Sequence, residues 1–141
     1  MNQAQARQAL GGARVAHLAT HGAHGPLVVP ICFALDGDTL YSVVDEKRKT
    51  TRALRRLAEV RREPSVAVLA DHWSEDWSEL WWVRADGQAR VLEPGSREDT
   101  AGRERAIALL RSRYPQYATH ALDGPVLAVE VTAWRWWSAS G

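Results

Sequence analysis

Apolar segments joined by turns too short for a helical crossover are what most constrain the folding of this chain. Segments 15–20, 27–35 and 39–44 are rich in apolar and β-branched residues, which favours strands. The linker 21–25 contains two glycines, and Asp36-Gly37-Asp38 supplies an Asp-Gly pair, which accepts the positive φ angles of a tight hairpin turn. A parallel connection needs about a dozen residues or more. The sequence therefore predicts antiparallel hairpins.

The rest of the chain continues this mainly β pattern and adds helices. Apolar residues at helical spacing between Lys47 and Arg62 predict a helix that Pro64 closes, and Gly87 predicts a bulge within a long strand. The further elements are helices at 2–10 and 96–113, the second capped by Ser96, and strands at 66–70, 80–92 and 126–137. The expected fold class is a small β-barrel with peripheral helices, as a single domain over residues 1–141.

Composition excludes several classes of protein. With 45% apolar and 25% charged residues, the 141-residue chain has the composition of a globular domain. It has no apolar run long enough for a membrane span, and its N-terminus lacks the apolar segment of a secretion signal. The one cysteine, Cys32, excludes an internal disulfide and suits a cytoplasmic location. Because it lies beside Phe33 in an apolar strand, its thiol is predicted to be buried and unreactive.

Positive charge is concentrated in one segment. Lys and Arg number 18 against 17 Asp and Glu, a net charge of +1 that is too small for a dedicated nucleic-acid-binding protein. Segment 47–62 nevertheless holds eight Lys or Arg and one acid, Glu59, and so carries +7. Cations around a helix N-terminus favour a bound phosphate. A phosphorylated small molecule is therefore the leading hypothesis, with a solvated helix face or nucleic acid as alternatives.

Tryptophan is the second concentrated residue type. Four Trp lie between Trp73 and Trp82, and three lie between Trp134 and Trp137. The amphipathic indole is favoured in cores and at subunit contacts. The clusters therefore predict a core or an interface, with a wall for a flat heteroaromatic ring as the alternative. Four acids accompany the first cluster as candidates for pairing with the basic segment: Asp71, Glu75, Asp76 and Glu79.

Motifs for catalysis or metal binding do not occur in the sequence. His17, His21 and His24 lie close together, but one is in a predicted strand and two are in a turn, and neither Cys nor acid completes a tetrahedral set. GxSxG, Walker and GxGxxG patterns, which mark hydrolases and nucleotide-binding folds, are absent. The sequence therefore assigns neither a catalytic residue nor a metal ligand.

Several blocks of the chain, together spanning residues 13–137, resemble the pyridoxamine 5′-phosphate oxidase-like flavin and deazaflavin proteins. Asp45-Glu-Lys-Arg-Lys49 resembles the Asp-x-Lys-Pro-Lys block of a subgroup described as coenzyme F420-dependent oxidoreductases, with Arg48 in place of Pro. The other similar blocks are Arg14-Val-Ala-His-Leu-Ala-Thr20, Gly25-Pro-Leu-Val-Val-Pro30, Phe33-Ala-Leu-Asp-Gly-Asp-Thr-Leu-Tyr41, the segment 71–84 and Tyr114-Pro-Gln-Tyr117.

This resemblance implies a split β-barrel that forms a homodimer with two cofactor sites at its interface. It implies that Lys47 and Lys49 contact the cofactor's phosphate. A basic pair of the wider family falls on Arg55 and Arg56 by its spacing to Pro64, so two basic sets are candidates for that contact. The predicted cofactor-binding residues are Lys47, Lys49, Thr50, Arg52, Arg55 and Arg56. Where the subgroup has Asn, this chain has Glu59.

The activity implied is hydride transfer between the cofactor ring and a small organic substrate, which needs no protein nucleophile. F420 carries an anionic oligoglutamate tail beyond its phosphate. Eight basic residues exceed what the single phosphate of FMN needs, so F420 is the favoured cofactor and FMN the alternative. A flavin-binding or deazaflavin-binding protein without turnover is the alternative from another functional class.

Overall fold

The computed structural model describes residues 1–44 and 51–141, and for residues 51–54 the backbone alone. Within this part of the chain, seven strands form one sheet in the order β2-β1-β5-β6-β7-β4-β3, and every neighbouring pair is antiparallel. The strands are β1 (Ala16–Gly22), β2 (Gly25–Ile31), β3 (Ala34–Asp36), β4 (Thr39–Val43), β5 (Ser65–His72), β6 (Trp81–Leu92) and β7 (Val126–Ser138). The predicted mainly β class is confirmed.

Helices lie at the periphery of the sheet. They are α1 (Gln3–Gly12), α2 (Thr51–Arg62) and α3 (Thr100–Arg113), with 3₁₀ turns at Trp77–Glu79 and Pro115–Thr119. Asn2 and Gln5 form a reciprocal capping box at the start of α1. Among the described residues, none of the helices has both the length and the apolar composition to cross a membrane.

The predicted cap of α3 is wrong. The helix begins at Thr100 rather than after Ser96, and Asp99 occupies the cap position without a side-chain capping bond. The Asp99 carboxylate instead accepts hydrogen bonds from the Glu93 N–H at 2.9 Å and from Arg90 at 3.2 Å. These contacts tie the helix start to the end of β6.

The predicted strand 27–35 is divided in two. β2 ends at Ile31, and β3 begins at Ala34 on the opposite edge of the sheet. Phe33 is fully buried and its N–H donates to the Tyr114 hydroxyl at 3.1 Å, whereas Cys32 is exposed. The prediction of a buried thiol is therefore wrong: Cys32 and Phe33 lie in the link between β2 and β3, and of the two only Phe33 packs into the core.

The hairpin between β3 and β4 is confirmed as predicted. Asp36 pairs with Thr39, and Gly37 takes a positive φ of 63° in the two-residue turn. The following Asp38 carboxylate accepts hydrogen bonds from Arg7 of α1 and from the Trp134 indole of β7. The Arg7 hydrogen bond, followed by that of Trp134, holds the pKa of Asp38 below its usual value. These contacts fasten α1 and the turn to β7.

Gly87 lies at a bulge, as its position in a strand predicts. The register between β6 and β7 shifts between Asp86 and Gly87. A Cβ atom on Gly87 would lie 2.3 Å from the backbone oxygen of Glu130. Glycine is therefore required here by the close approach of the two backbones.

We expect Gly87→Ala to lower the free energy of unfolding by about 1–3 kcal/mol, because the added methyl group must displace backbone rather than a flexible side chain. Denaturant unfolding measures the change. Gly12→Ala at the end of α1 is the matched control, since a Cβ there meets no atom within 4 Å. Equal stability of the two variants would contradict the assignment of Gly87 as a packing requirement.

Candidate functional site

The candidate site lies between α2 and the β1–β2 hairpin. α2 packs against β1 and β6, and its outer face borders two adjoining cavities. The larger, of about 500 Å³, is enclosed by the hairpin turn from Gly22 to Leu27 and by Arg55, Glu59 and Arg62. The smaller, of about 270 Å³, is bordered by residues of β2, by Arg56 and again by Arg55 and Glu59. The larger has the volume of a small-molecule site.

Arginine side chains give these cavities their charge. Arg55, Glu59 and Arg62 are spaced four and three residues apart, which places them on one face of a helix. Arg62 donates to the carbonyl oxygen of His21 at 2.9 Å, which holds the helix end against β1. Half-buried Arg56 faces the smaller cavity, where burial lowers the pKa of its guanidinium and the charge of Glu59 opposes that shift. The guanidinium forks are suited to phosphate oxygens.

Glu59 contrasts with its basic neighbours. Its side chain is buried, with 5% of its surface exposed, although it borders both cavities. Within the described part of the chain, its Oε2 atom has no hydrogen-bond partner. Buried polar atoms are nearly always paired in native proteins. Glu59 is a buried acidic side chain among the arginines that border the two cavities.

The opposite wall of the site is apolar. Leu27 and Val28 of β2 are 44% and 63% exposed, and both border the smaller cavity. β2 pairs only with β1 in the described sheet and forms its edge, so it also presents unpaired backbone donors and acceptors. The site therefore combines cationic side chains on the helix with an apolar strand whose backbone is free to bind.

The structure brings together two of the predicted cofactor-binding residues, Arg55 and Arg56. Of the others, Lys47, Lys49 and Thr50 lie outside the described residues, and Arg52 lies in the first turn of α2 with only its backbone described. Their contact with phosphate stays a prediction.

Sequence reasoning missed Arg62, Glu59 and the β1–β2 turn as parts of the site. Helical spacing would have indicated Glu59 and Arg62, because they lie four and seven residues after Arg55 and so share its face of the helix. Nothing in the local sequence indicates that the hairpin turn lies opposite that face, since the turn and α2 are far apart in the chain.

A third cavity, of about 650 Å³, lies beside the tryptophan cluster and is bordered by His17, Leu69, Trp81 and Trp82 among others. Trp73, Trp77 and Trp137 are 64%, 67% and 47% exposed, whereas Trp134 is 8% exposed and belongs to the core. The predicted core position therefore holds for Trp134, whereas the loop between β5 and β6 carries Trp73 and Trp77 on the surface.

The three clustered histidines are dispersed by the fold. His17 borders the tryptophan cavity, His24 borders the cavity at α2, and His21 contributes its backbone oxygen to Arg62. Among the described residues, no three His, Cys, Asp or Glu side chains lie close enough together to hold a metal ion.

Comparison with known proteins identifies the family. The family model described as pyridoxamine 5′-phosphate oxidase matches residues 2–135, and the chain belongs to this family. A comparison with curated proteins finds no match.

Solved structures show the same fold, the split β-barrel. A FAD-binding protein from Mesorhizobium loti is 20% identical with a TM-score of 0.72, and the match covers 96% of this chain and 94% of that one. A conserved hypothetical protein from Mycobacterium tuberculosis is 19% identical with a TM-score of 0.75, covering 99% and 86%. A FAD-binding protein from Mycobacterium smegmatis is 17% identical with a TM-score of 0.65, covering 97% and 96%.

We expect inorganic pyrophosphate to bind the cavities at α2, because charge-assisted hydrogen bonds from several guanidinium groups converge there. The double variant Arg55→Gln/Arg56→Gln should weaken this binding about tenfold or more. Calorimetric titration at constant ionic strength measures it. Arg97→Gln, an exposed arginine outside the site, is the control, and an equal loss in the control would show that the protein's overall charge is responsible.

Proposed function

We propose that this protein is an oxidoreductase that binds coenzyme F420 at α2 and transfers a hydride between the deazaflavin and a small organic substrate. The observation that carries the proposal is the pairing of Arg55 and Arg56 with the exposed apolar side chains of β2 across one cavity. A cationic end opposite an apolar wall suits a ligand that joins a phosphate to a flat ring. Membership of the pyridoxamine 5′-phosphate oxidase family supports this choice of ligand.

The phosphate end is the better defined half of the proposed complex. Arg55, Arg56 and Arg62 surround the cavities at α2, and the guanidinium fork binds phosphate oxygens in pairs. Lys47 and Lys49 precede the helix in sequence and are proposed as further partners on the strength of the family resemblance. The anion would then lie on the outer face of α2, between Arg55 in the first half of the helix and Arg62 at its end.

The ring would lie against β2. Leu27 and Val28 offer an exposed apolar surface, and the backbone of this edge strand offers donors and acceptors for the polar rim of a flavin-type ring. When bound, the deazaflavin supplies the hydride chemistry. The chain's own residues hold the ring in place, anchor its phosphate and exclude water from one ring face, which is the protein's contribution to a transfer that depends on orientation.

F420 is preferred to FMN because of the amount of positive charge. Segment 47–62 carries eight basic residues, and the anionic tail of F420 offers more partners for them than a single phosphate does. A flavin is the second candidate, because two structures of the same fold are named as FAD-binding proteins. With either cofactor, oxidation of the reduced, bound form by added acceptors separates an oxidoreductase from a protein that only binds.

The cofactor preference predicts a difference in salt dependence. F420 affinity should rise with the length of its oligoglutamate tail and fall steeply with salt, since exposed charges are screened over about 8–10 Å near physiological ionic strength. FMN should respond less, because it offers one phosphate. Fluorescence titrations of both cofactors at low and high salt measure this. Tighter binding of FMN at every salt concentration would reverse the preference.

We further propose that the protein is a homodimer. Trp73 and Trp77 are exposed on the loop between β5 and β6, and such indoles usually mark contact surfaces. Four acids lie in or beside this loop, so its charge is complementary to the basic face of α2 on a second copy. Asp76 itself accepts hydrogen bonds from Ser78, which lower its pKa and order the loop.

The dimer predicts that light scattering gives twice the chain mass at micromolar concentration. Trp73→Ser/Trp77→Ser should raise the dissociation constant about tenfold or more, because central aromatic residues dominate interface energies. Val15→Ser, at another exposed apolar residue, is the control. A wild-type monomer at these concentrations would refute the proposal.

A further inference from the structure

Among the described residues, Glu59 is the one buried acid that borders the proposed site. Its side chain is 95% buried, and its Oε2 atom lacks a hydrogen-bond partner among the described residues. Arg56 lies near enough for their charges to interact, yet no ion pair joins the two in the described part of the chain. An unpaired buried acceptor costs stability, so this oxygen is open to a partner beyond those that the described residues supply.

The chemistry of the surroundings restricts what that partner is. A phosphate oxygen is excluded, because two anions in contact repel each other. A metal ion is disfavoured, because three arginines surround the group and the described residues place no cluster of metal ligands here. A neutral group that donates a hydrogen bond remains, and a hydroxyl is its simplest form.

The position of Glu59 between the two cavities indicates which hydroxyl group of a ligand it would meet. Glu59 and Arg55 border both cavities, with Arg56 in the smaller and Arg62 in the larger. A ligand that extends from one cavity into the other therefore passes Glu59 close to the arginines that would take its phosphate. In FMN and in F420 alike, the segment next to the phosphate is a chain of hydroxyl-bearing carbons.

We infer that Glu59 binds the ligand directly, its carboxylate accepting a hydrogen bond from a hydroxyl of the polyol chain beside the phosphate. This inference rests on the proposed function, and it adds a specificity element: a site with a buried acceptor rejects ligands that lack the matching hydroxyl. Glu59 is thus a cofactor-binding residue that orients the polyol, whereas the arginines around it select the anion.

The test uses three ligands of whichever ring series, flavin or deazaflavin, the wild type binds. The first carries the polyol and the phosphate, the second the polyol alone, and the third a methyl group in place of both. Glu59→Leu should weaken binding of the first two about tenfold or more and leave the third unchanged. Glu59→Gln, which keeps an uncharged acceptor, should weaken the first two about threefold. Glu104→Leu, at an exposed acid of α3, is the control.

Other outcomes overturn the inference. Equal losses for all three ligands would mean that Glu59 supports the fold of the site. If Glu59→Leu binds the phosphorylated ligand more tightly and the other two ligands unchanged, Glu59 acts only by repelling the phosphate. If the wild type binds the first ligand and Glu59→Leu binds it equally well, the inference fails while the proposed function stands. If the wild type binds none of the ring ligands, the proposed function fails and the inference fails with it.

Thermal melting supplies an independent readout. Since one oxygen of the buried carboxyl group has no partner among the described residues, Glu59→Leu should raise the melting temperature of the ligand-free protein and reduce the rise that the phosphorylated ligand produces. A structural role predicts the reverse: a lower melting temperature and an undiminished ligand effect. If Glu59→Leu does not fold, the structural role is established and the inference is overturned.

Discussion

The antiparallel ladder between β6 and β7 is the interaction on which the remaining structure depends. It runs from the pair Trp81 and Ser138 to the pair Leu92 and Val126, interrupted by the bulge at Gly87. β5 adds to the free edge of β6, and β4 adds to the free edge of β7, so these two long strands carry the other five. Their inward side chains also supply much of the core. Burial of this apolar surface is the main favourable contribution to the free energy of folding, and the ladder determines which side chains are buried.

The same ladder determines where the candidate site forms. β4 and β5 are consecutive along the chain, yet β6 and β7 lie between them in the sheet. The connection that contains α2 therefore has to pass from one side of the ladder to the other, and it brings the helix against β1 and β6. The outer face of α2 then faces the β1–β2 hairpin. A basic segment and an apolar hairpin, separated by some thirty residues in the sequence, become two walls of one cavity.

The buried position of Glu59 lowers the stability of the protein and, in the proposal above, serves ligand binding. One oxygen of its carboxyl group has no hydrogen-bond partner among the described residues, and local costs of this kind are characteristic of functional sites. Neighbouring residues of the same helix follow ordinary packing rules: Leu57 and Val60 face the core, and Arg61 pairs with Glu93 at the surface. The departure is confined to the face of α2 that borders the cavities, which is why it points to a ligand rather than to poor packing.

The sequence by itself determined the features that depend on near neighbours in the chain. Asp36-Gly37-Asp38 specified its hairpin turn, the run of basic residues specified a charged helix, and Gly87 specified a bulge, because each rests on local backbone geometry or helical spacing. Only the tertiary structure decided the features that depend on distant contacts. It exposed Cys32 while burying Phe33, whose N–H donates to the hydroxyl of Tyr114, a residue far along the chain. It also buried Glu59 within a basic site. Burial and pairing are set by which strands and helices meet, and these elements come from distant parts of the chain, beyond the range over which local patterns act.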